Sequence, residues 1–274
     1  MNVLSLFDGM ACARIALNKA GVQVDNYFAS EIDKYAMQIA KKNWPDIKHI
    51  GDVTKVKDSD LPRIDLLMGG SPCQGFSFAG KQLNFDDPRS KLFFEYARLL
   101  KECKPKYFLL ENVEMKKEYQ VVISKTLGVE PILINSALVS AQNRKRLYWT
   151  NIPWVKQPED KDLTLKDIIE KGSGKPLTEV TSKRPRTLRN FRSLDQKAFC
   201  MLATMYKLSQ SNGMTVIDDN GLRCVSPLEC ERLQTVPDRY TEGVSTTQRY
   251  KMLGNGWTVD VISHIFKGIT EKQK

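Results

Sequence analysis

A series of short apolar runs, each closed by polar residues or glycine and mostly followed by a helix-period stretch, most restricts what this chain can fold into. Val3 to Phe7 breaks at Asp8-Gly9, Tyr27 to Ser30 ends at Glu31, Ile64 to Met68 ends at Gly69-Gly70, and Tyr107 to Leu110 ends at Glu111-Asn112. Between them, Ile15, Leu17 and Ala20 fall at helical spacing before Gly21, and Asp33 to Asn43 and Lys91 to Cys103 read as helices. Strands alternating with helices predict an open parallel α/β sheet. Such sheets bind ligands beyond the carboxyl ends of their strands. Asp8, Glu31, Asp52, the loop after Met68 and Glu111 are therefore expected along one edge.

The 274 residues, 41% of them hydrophobic, suffice for a packed core. Lys and Arg number 42 against 32 Asp and Glu, a formal charge of +10 that favours a polyanionic partner. Six scattered cysteines, without a Cys-x-x-Cys pair, and two distant histidines argue against a zinc site and for a reducing compartment. No run is long enough to span a membrane, and the start has no signal-peptide pattern. The expectation is a soluble protein without metal or membrane partner, cytoplasmic in a prokaryotic or phage-infected cell, nuclear in a eukaryote, with a monomer as default.

From about residue 156 the periodicity loosens, and the stretch contains the basic run Lys183, Arg184, Arg186, Arg189 and Arg192. It returns after Pro227, with helical patterns over Leu228 to Leu233 and Trp257 to Ile269. This predicts a catalytic domain over 1–155 and 223–274, and a small inserted domain over 156–222.

Several local motifs carry chemistry. Gly69-Gly70-Ser71-Pro72-Cys73-Gln74-Gly75-Phe76-Ser77-Phe78 sets a thiol on a stiff turn within a glycine- and serine-rich loop, an unusual setting for a cysteine that merely packs. Leu110-Glu111-Asn112-Val113 puts a carboxyl group just past a strand. In Gln142-Asn143-Arg144-Lys145-Arg146, alternation along an extended segment puts both arginines on one face. Leu6-Phe7-Asp8-Gly9-Met10-Ala11-Cys12 joins a strand to a helix, and Gly9 lets the backbone approach a ligand. Leu253-Gly254-Asn255-Gly256-Trp257 precedes the last helix.

In this order, the Ser-Pro-Cys-Gln, Glu-Asn-Val, Gln-x-Arg-x-Arg and Gly-Asn-x-x-Val blocks make the chain resemble the cytosine-5 DNA methyltransferases from Val3 to Ile269. Gly51 to Val56 and Pro227 to Arg232 look most like the eukaryotic de novo branch, whereas the compact length is closer to bacterial and phage enzymes. A transfer-RNA branch shares the catalytic core, but its Cys-Phe-Thr tripeptide is not found here.

The resemblance implies a class I, Rossmann-like S-adenosylmethionine-dependent sheet with a small inserted target-recognition domain, acting on double-stranded DNA. It implies that Cys73 attacks carbon 6 of a flipped-out cytosine, that Glu111 holds N3 and the amino group, that Arg146 holds the O2 edge, and that Arg144 supports that segment. It further implies an S-adenosylmethionine pocket. Phe7, Asp8, Gly9, Ala11 and Cys12 line it, Glu31 takes the ribose hydroxyls, and Ile32 lies against the adenine. Asp52 and Val53 read the adenine, and Pro72, Leu92, Asn255, Gly256 and Trp257 complete the pocket. Gly256 stands where serine is frequent in the family. The basic run from Lys183 to Arg192 is expected to contact DNA phosphates.

Overall fold

The structure is a computed structural model that describes residues 1–71, 91–170, 191–207, 214–218 and 221–270. It forms two compact units, one of residues 1–134, 145–157 and 263–274, the other of 135–144 and 158–262. Among the described residues no helix is long and apolar enough to cross a membrane, and no group of three or more His, Cys, Asp or Glu residues is arranged to hold a metal ion.

The first unit is built on a sheet of seven strands: β1 (Asn2–Leu6), β2 (Asn26–Ser30), β3 (Lys48–His49), β4 (Leu66–Gly70), β5 (Tyr107–Val113), β6 (Ile132–Asn135) and β7 (Lys145–Thr150). Their order is β3-β2-β1-β4-β5-β7-β6. The pairs from β3 to β5 are parallel, and β7 runs antiparallel to β5. The expected all-parallel sheet is thus corrected at β7. Only an antiparallel return lets Glu111 lie opposite Tyr148 and Val113 opposite Arg146.

Helices α1 (Cys12–Lys19), α2 (Lys34–Asn43), α3 (Lys91–Cys103) and α4 (Lys117–Leu127) lie between these strands in sequence. Asp33 accepts hydrogen bonds from the amides of Tyr35 and Ala36, which fixes where α2 begins. On α3, Phe93, Tyr96 and Leu99 recur at helical spacing and are fully buried, in one apolar cluster with Leu67, Phe108 and Leu110. Gly69 suits this close approach, because a Cβ on it would lie 3.0 Å from the Leu6 carbonyl oxygen and 3.2 Å from the Tyr96 ring, tighter than ordinary contact.

The second unit holds a three-stranded sheet in the order β10-β9-β8, from β8 (Phe191–Arg192), β9 (Thr215–Asp218) and β10 (Gly221–Cys224). It also holds α5 (Pro227–Leu233) and α6 (Thr246–Asn255), and α7 (Val259–Thr270) begins in it. Ser226 and Glu229 cap α5 reciprocally. Glu229 is completely buried and receives two charged hydrogen bonds from Arg223, whose Nε donates to Asp218 at 2.5 Å. Buried charges persist in such a place only when paired and hydrogen-bonded on all sides.

A second buried polar network unites distant segments of this unit. Gln234 accepts from Gln142 Nε2 at 2.9 Å and from Thr258 Oγ1 at 2.8 Å, and donates to the carbonyls of Leu253 at 2.8 Å and Gly256 at 3.0 Å. This network joins Gln142 to residues 234–258 within the second unit.

Candidate active site

The turn after β1 is shaped by backbone conformation. Phe7, Gly9 and Ala11 have φ of 56, 61 and 65°, a left-handed sequence that reverses the chain before α1. A Cβ on Gly9 would meet no atom within 4 Å, so the space above it is open. The Gly9 amide donates to Glu31 Oε2 at 2.8 Å, and Glu31 Oε1 accepts from the amides of Ile32 and Asp33 at 2.7 and 2.8 Å. The ends of β1 and β2 are thereby tied together around one carboxylate. Beside it Ile32 is 77% exposed, more than any other large apolar residue described.

Asp8 is buried within this turn. Its Oδ1 accepts from Ser5 Oγ at 2.6 Å and from the Tyr27 hydroxyl at 2.5 Å, whereas Oδ2 has no partner among the described residues. Burial pushes its carboxyl up to about 7 against the pull of both hydroxyls, and the Glu31 charge adds to the rise. Ser30 Oγ donates to the Gly51 carbonyl at 2.7 Å, which brings the next turn to the end of β2. There Asp52 accepts from the amide and hydroxyl of Thr54, both at 3.0 Å, and these bonds hold its carboxyl below the usual range. Val53 is buried in the apolar cluster, and Leu92 packs against that cluster from α3.

A second group forms where β4, β5 and β7 end. Gly70 pairs with Glu111, so Ser71 follows at the level of Asn112. Asn112 Nδ2 donates to Ser71 Oγ at 3.1 Å and to its carbonyl at 3.4 Å, and both residues are buried. This fixes the stem that leads into Pro72-Cys73; those two residues lie outside the described residues. Glu111 Oε1 pairs with Arg146 Nε at 2.9 Å. The two are diagonal neighbours across antiparallel strands, on the same face of the sheet.

Arg144 has other partners than Arg146. It is 4% exposed and donates to the carbonyls of Met201 at 2.9 Å, Gly254 at 3.1 Å and Gly256 at 2.9 Å, all within the second unit. Arg144 belongs to the second unit and Arg146 to the first. Asn255, Gly256 and Trp257 form the junction between α6 and α7. Gly254 is required by close packing, since a Cβ there would lie 2.3 Å from the Leu202 carbonyl carbon and the Ala203 nitrogen. Of the basic run, Arg192 is described, and Lys183, Arg184, Arg186 and Arg189 lie outside the described residues.

Four supporting residues are not evident from the sequence: Asn112, Ser71, Gln142 and Gln234. Asn112 and Gln142 sit inside the Glu-Asn-Val and Gln-x-Arg-x-Arg motifs. An amide beside a charged residue in such blocks is the signal that points to them.

Solved structures share this fold. EhMeth of Entamoeba histolytica superposes with a TM-score of 0.81 at 18% identity, over 99% of each chain. DNMT2 of Spodoptera frugiperda superposes with a TM-score of 0.77 at 21% identity, over 98% of this chain and 99% of that one. The sheet is that of a Rossmann-like methyltransferase with a second, smaller unit. The chain belongs to the C-5 cytosine-specific DNA methylase family, whose model matches residues 1–153 and 156–271. It is 32% identical to the type II methyltransferase M1.ScrFI of Lactococcus lactis subsp. cremoris over 304 residues, covering 98% of this chain and 78% of that protein. It is 28% identical to the type II methyltransferase M.HhaI of Haemophilus parahaemolyticus, over 97% of this chain and 93% of that one. With the orphan methyltransferase M.SPRI of Bacillus phage SPR it shares 39% over 188 residues, 63% of this chain and 43% of that protein.

Proposed function

We propose that this chain methylates carbon 5 of cytosine in double-stranded DNA, with S-adenosylmethionine as methyl donor and Cys73 as nucleophile. The observation that carries the reading is the Glu111–Arg146 pair of 2.9 Å beside the Asn112–Ser71 anchor, two residues before Cys73. Three of the other cysteines are poorly suited to act as thiolates. Burial pushes the thiols of Cys103 and Cys224 up to about 12 and about 11, and raises that of Cys230 well above the usual range, so these remain protonated at neutral pH.

The residues of the first unit fit S-adenosylmethionine. Open space over Gly9, the Glu31 carboxylate at the joined strand ends, the exposed Ile32 and the Asp52 turn offer room, acceptors for hydroxyls and an apolar surface for a ring. Phe7, Ala11, Cys12, Val53, Pro72 and Leu92 belong to this pocket in the same reading, as do Asn255, Gly256 and Trp257. When bound, S-adenosylmethionine supplies an electrophilic methyl group. The chain's own residues then act on the base. The target cytosine leaves the duplex to reach them. Thiolate addition from Cys73 to carbon 6 turns carbon 5 into an enamine-like nucleophile. Glu111 donates a proton at N3 and lowers the barrier to that addition. Arg146 orients Glu111 and stabilises the O2 edge. Arg144 acts at a distance, by fixing the carbonyls of Gly254 and Gly256.

Residues 156–222 form the recognition region, with Lys183, Arg184, Arg186 and Arg189 on DNA phosphates. The type II relatives favour a restriction–modification setting. DNA containing 5-fluorocytosine tests the mechanism, because fluorine blocks the final elimination. With S-adenosylmethionine present, peptide mapping should find the trapped DNA on Cys73, and Cys73→Ser should abolish both the adduct and tritiated methyl transfer. An active serine variant, or an adduct on another residue, overturns the assignment.

A further inference from the structure

Arg192 ends β8, an edge strand of the small sheet, and its guanidinium carbon lies 3.7 Å from the centre of the Phe199 ring. Phe199 is itself 39% exposed, so the stack stands at the surface. Among the described residues no group accepts a hydrogen bond from this guanidinium, and its Nε is buried without a partner. An arginine with no acceptor, stacked on a ring that faces water, keeps its two terminal nitrogens, which unlike Nε are not buried, available to a partner and its direction fixed.

The surroundings match one kind of partner. Phe199, Leu202 and Tyr206 are exposed large apolar residues within eight positions, an unusual concentration for a surface with no partner. Among residues 191–207 the charges are Arg192, Lys197 and Lys207 against Asp195. Lys197 is occupied by the carbonyls of Ala137 and Leu163, which leaves Arg192 and Lys207 as the outward cations. A protein partner would be expected to offer carboxylates to these cations. Duplex DNA offers instead a groove lined with acceptor atoms and thymine methyl groups between two phosphate rows, which suits cations set among apolar side chains.

We infer that Arg192, held in place by Phe199, reads a guanine beside the target cytosine through that base's O6 and N7 in the major groove. The inference rests on the proposed DNA-methylating function. It separates Arg192 from the rest of the basic run, since two parallel hydrogen bonds to one base edge carry sequence information and a phosphate contact does not. Phe199 acts as a positioning residue, because removing the ring leaves the guanidinium mobile.

Bisulfite sequencing of DNA from cells expressing the chain or its variants reads activity and sequence context together. The wild-type pattern should contain a guanine at a fixed position near the methylated cytosine. Arg192→Lys keeps the charge but removes the two-donor edge, so preference for that guanine should fall about tenfold or more while preference at other positions persists. Phe199→Leu should relax the same position to a smaller degree. A wild-type context preserved in Arg192→Lys, or a uniform drop in every context, makes Arg192 a phosphate contact and overturns the inference. A wild-type chain that methylates no cytosine removes the underlying function, and the inference falls with it.

Discussion

At the scale of single residues, Asp8 couples folding to pH. Its carboxyl is raised from 3.8 to about 7, so between these values the folded chain binds a proton that the unfolded chain releases. Stability then falls as pH rises through that window and stays low above it. The shift corresponds to about 4 kcal/mol at most, at roughly 1.4 kcal/mol for each pH unit. Asp8→Asn cannot ionise, and it should flatten the decline in urea stability measured from about pH 4 to about pH 8. Glu111 gives a second expectation. Glutamine keeps the shape but has no acidic proton to donate, so Glu111→Gln should slow single-turnover methyl transfer on the order of 10²-fold or more. The motifs containing Asp8 and Glu111 are legible in the sequence. Their partners are not, because Tyr27 and Arg146 come into reach only once strands pair.

At the scale of elements, α2 and α3 are legible in the sequence to within a residue or two, whereas α4 (Lys117–Leu127) is not read from it. The end of α3 at Cys103 agrees with the pattern, and α2 begins one residue after Asp33, which serves as its cap. Amphipathic spacing and capping are local, so a sequence displays them. The antiparallel β7 and the two-residue β8 depend on partners further along the chain, and β9 and β10, though they pair locally, are too short to show a periodicity of their own. The Gly-Asn block before α7 reads from the sequence as a site for a bound molecule, yet its first glycine has a packing duty as well. Gly254→Ala places a methyl group against the backbone of Leu202 and Ala203, which cannot rotate away. It should destabilise the chain by about 1–3 kcal/mol in thermal or denaturant melts, with or without S-adenosylmethionine. A variant that melts like the wild type only in the absence of the cofactor would confine that glycine's role to the pocket.

At the scale of the whole molecule, the charge of +10 suits a DNA partner, and its distribution decides how binding responds to salt. Each phosphate neutralised by the protein releases condensed counterions, so the double variant Arg186→Ala with Arg189→Ala should weaken binding to all DNA sequences alike. It should also reduce the slope of log affinity against log salt by about 0.9 for each phosphate that the variant no longer neutralises. Titrations over a series of salt concentrations check this, and an unchanged slope would leave these arginines as solvated surface. Arg192→Lys keeps its charge and leaves the slope unchanged whichever group it contacts, so the role of Arg192 is read from the methylated sequence context and not from salt.

The staple at Arg144 also bears on how the chain is made. Its partner carbonyl at Gly254 lies 110 residues further along. At about 5–20 residues per second, a ribosome needs roughly 5–20 s to reach it. For that interval the guanidinium and the amide of Gln142 belong to a nascent chain that lacks the groups destined to cover them. The second unit therefore cannot mature as it emerges, and waits for its last helices. Pauses in translation after Arg144 would lengthen the period in which a holding chaperone is needed, whereas pauses after Gly256 would matter little.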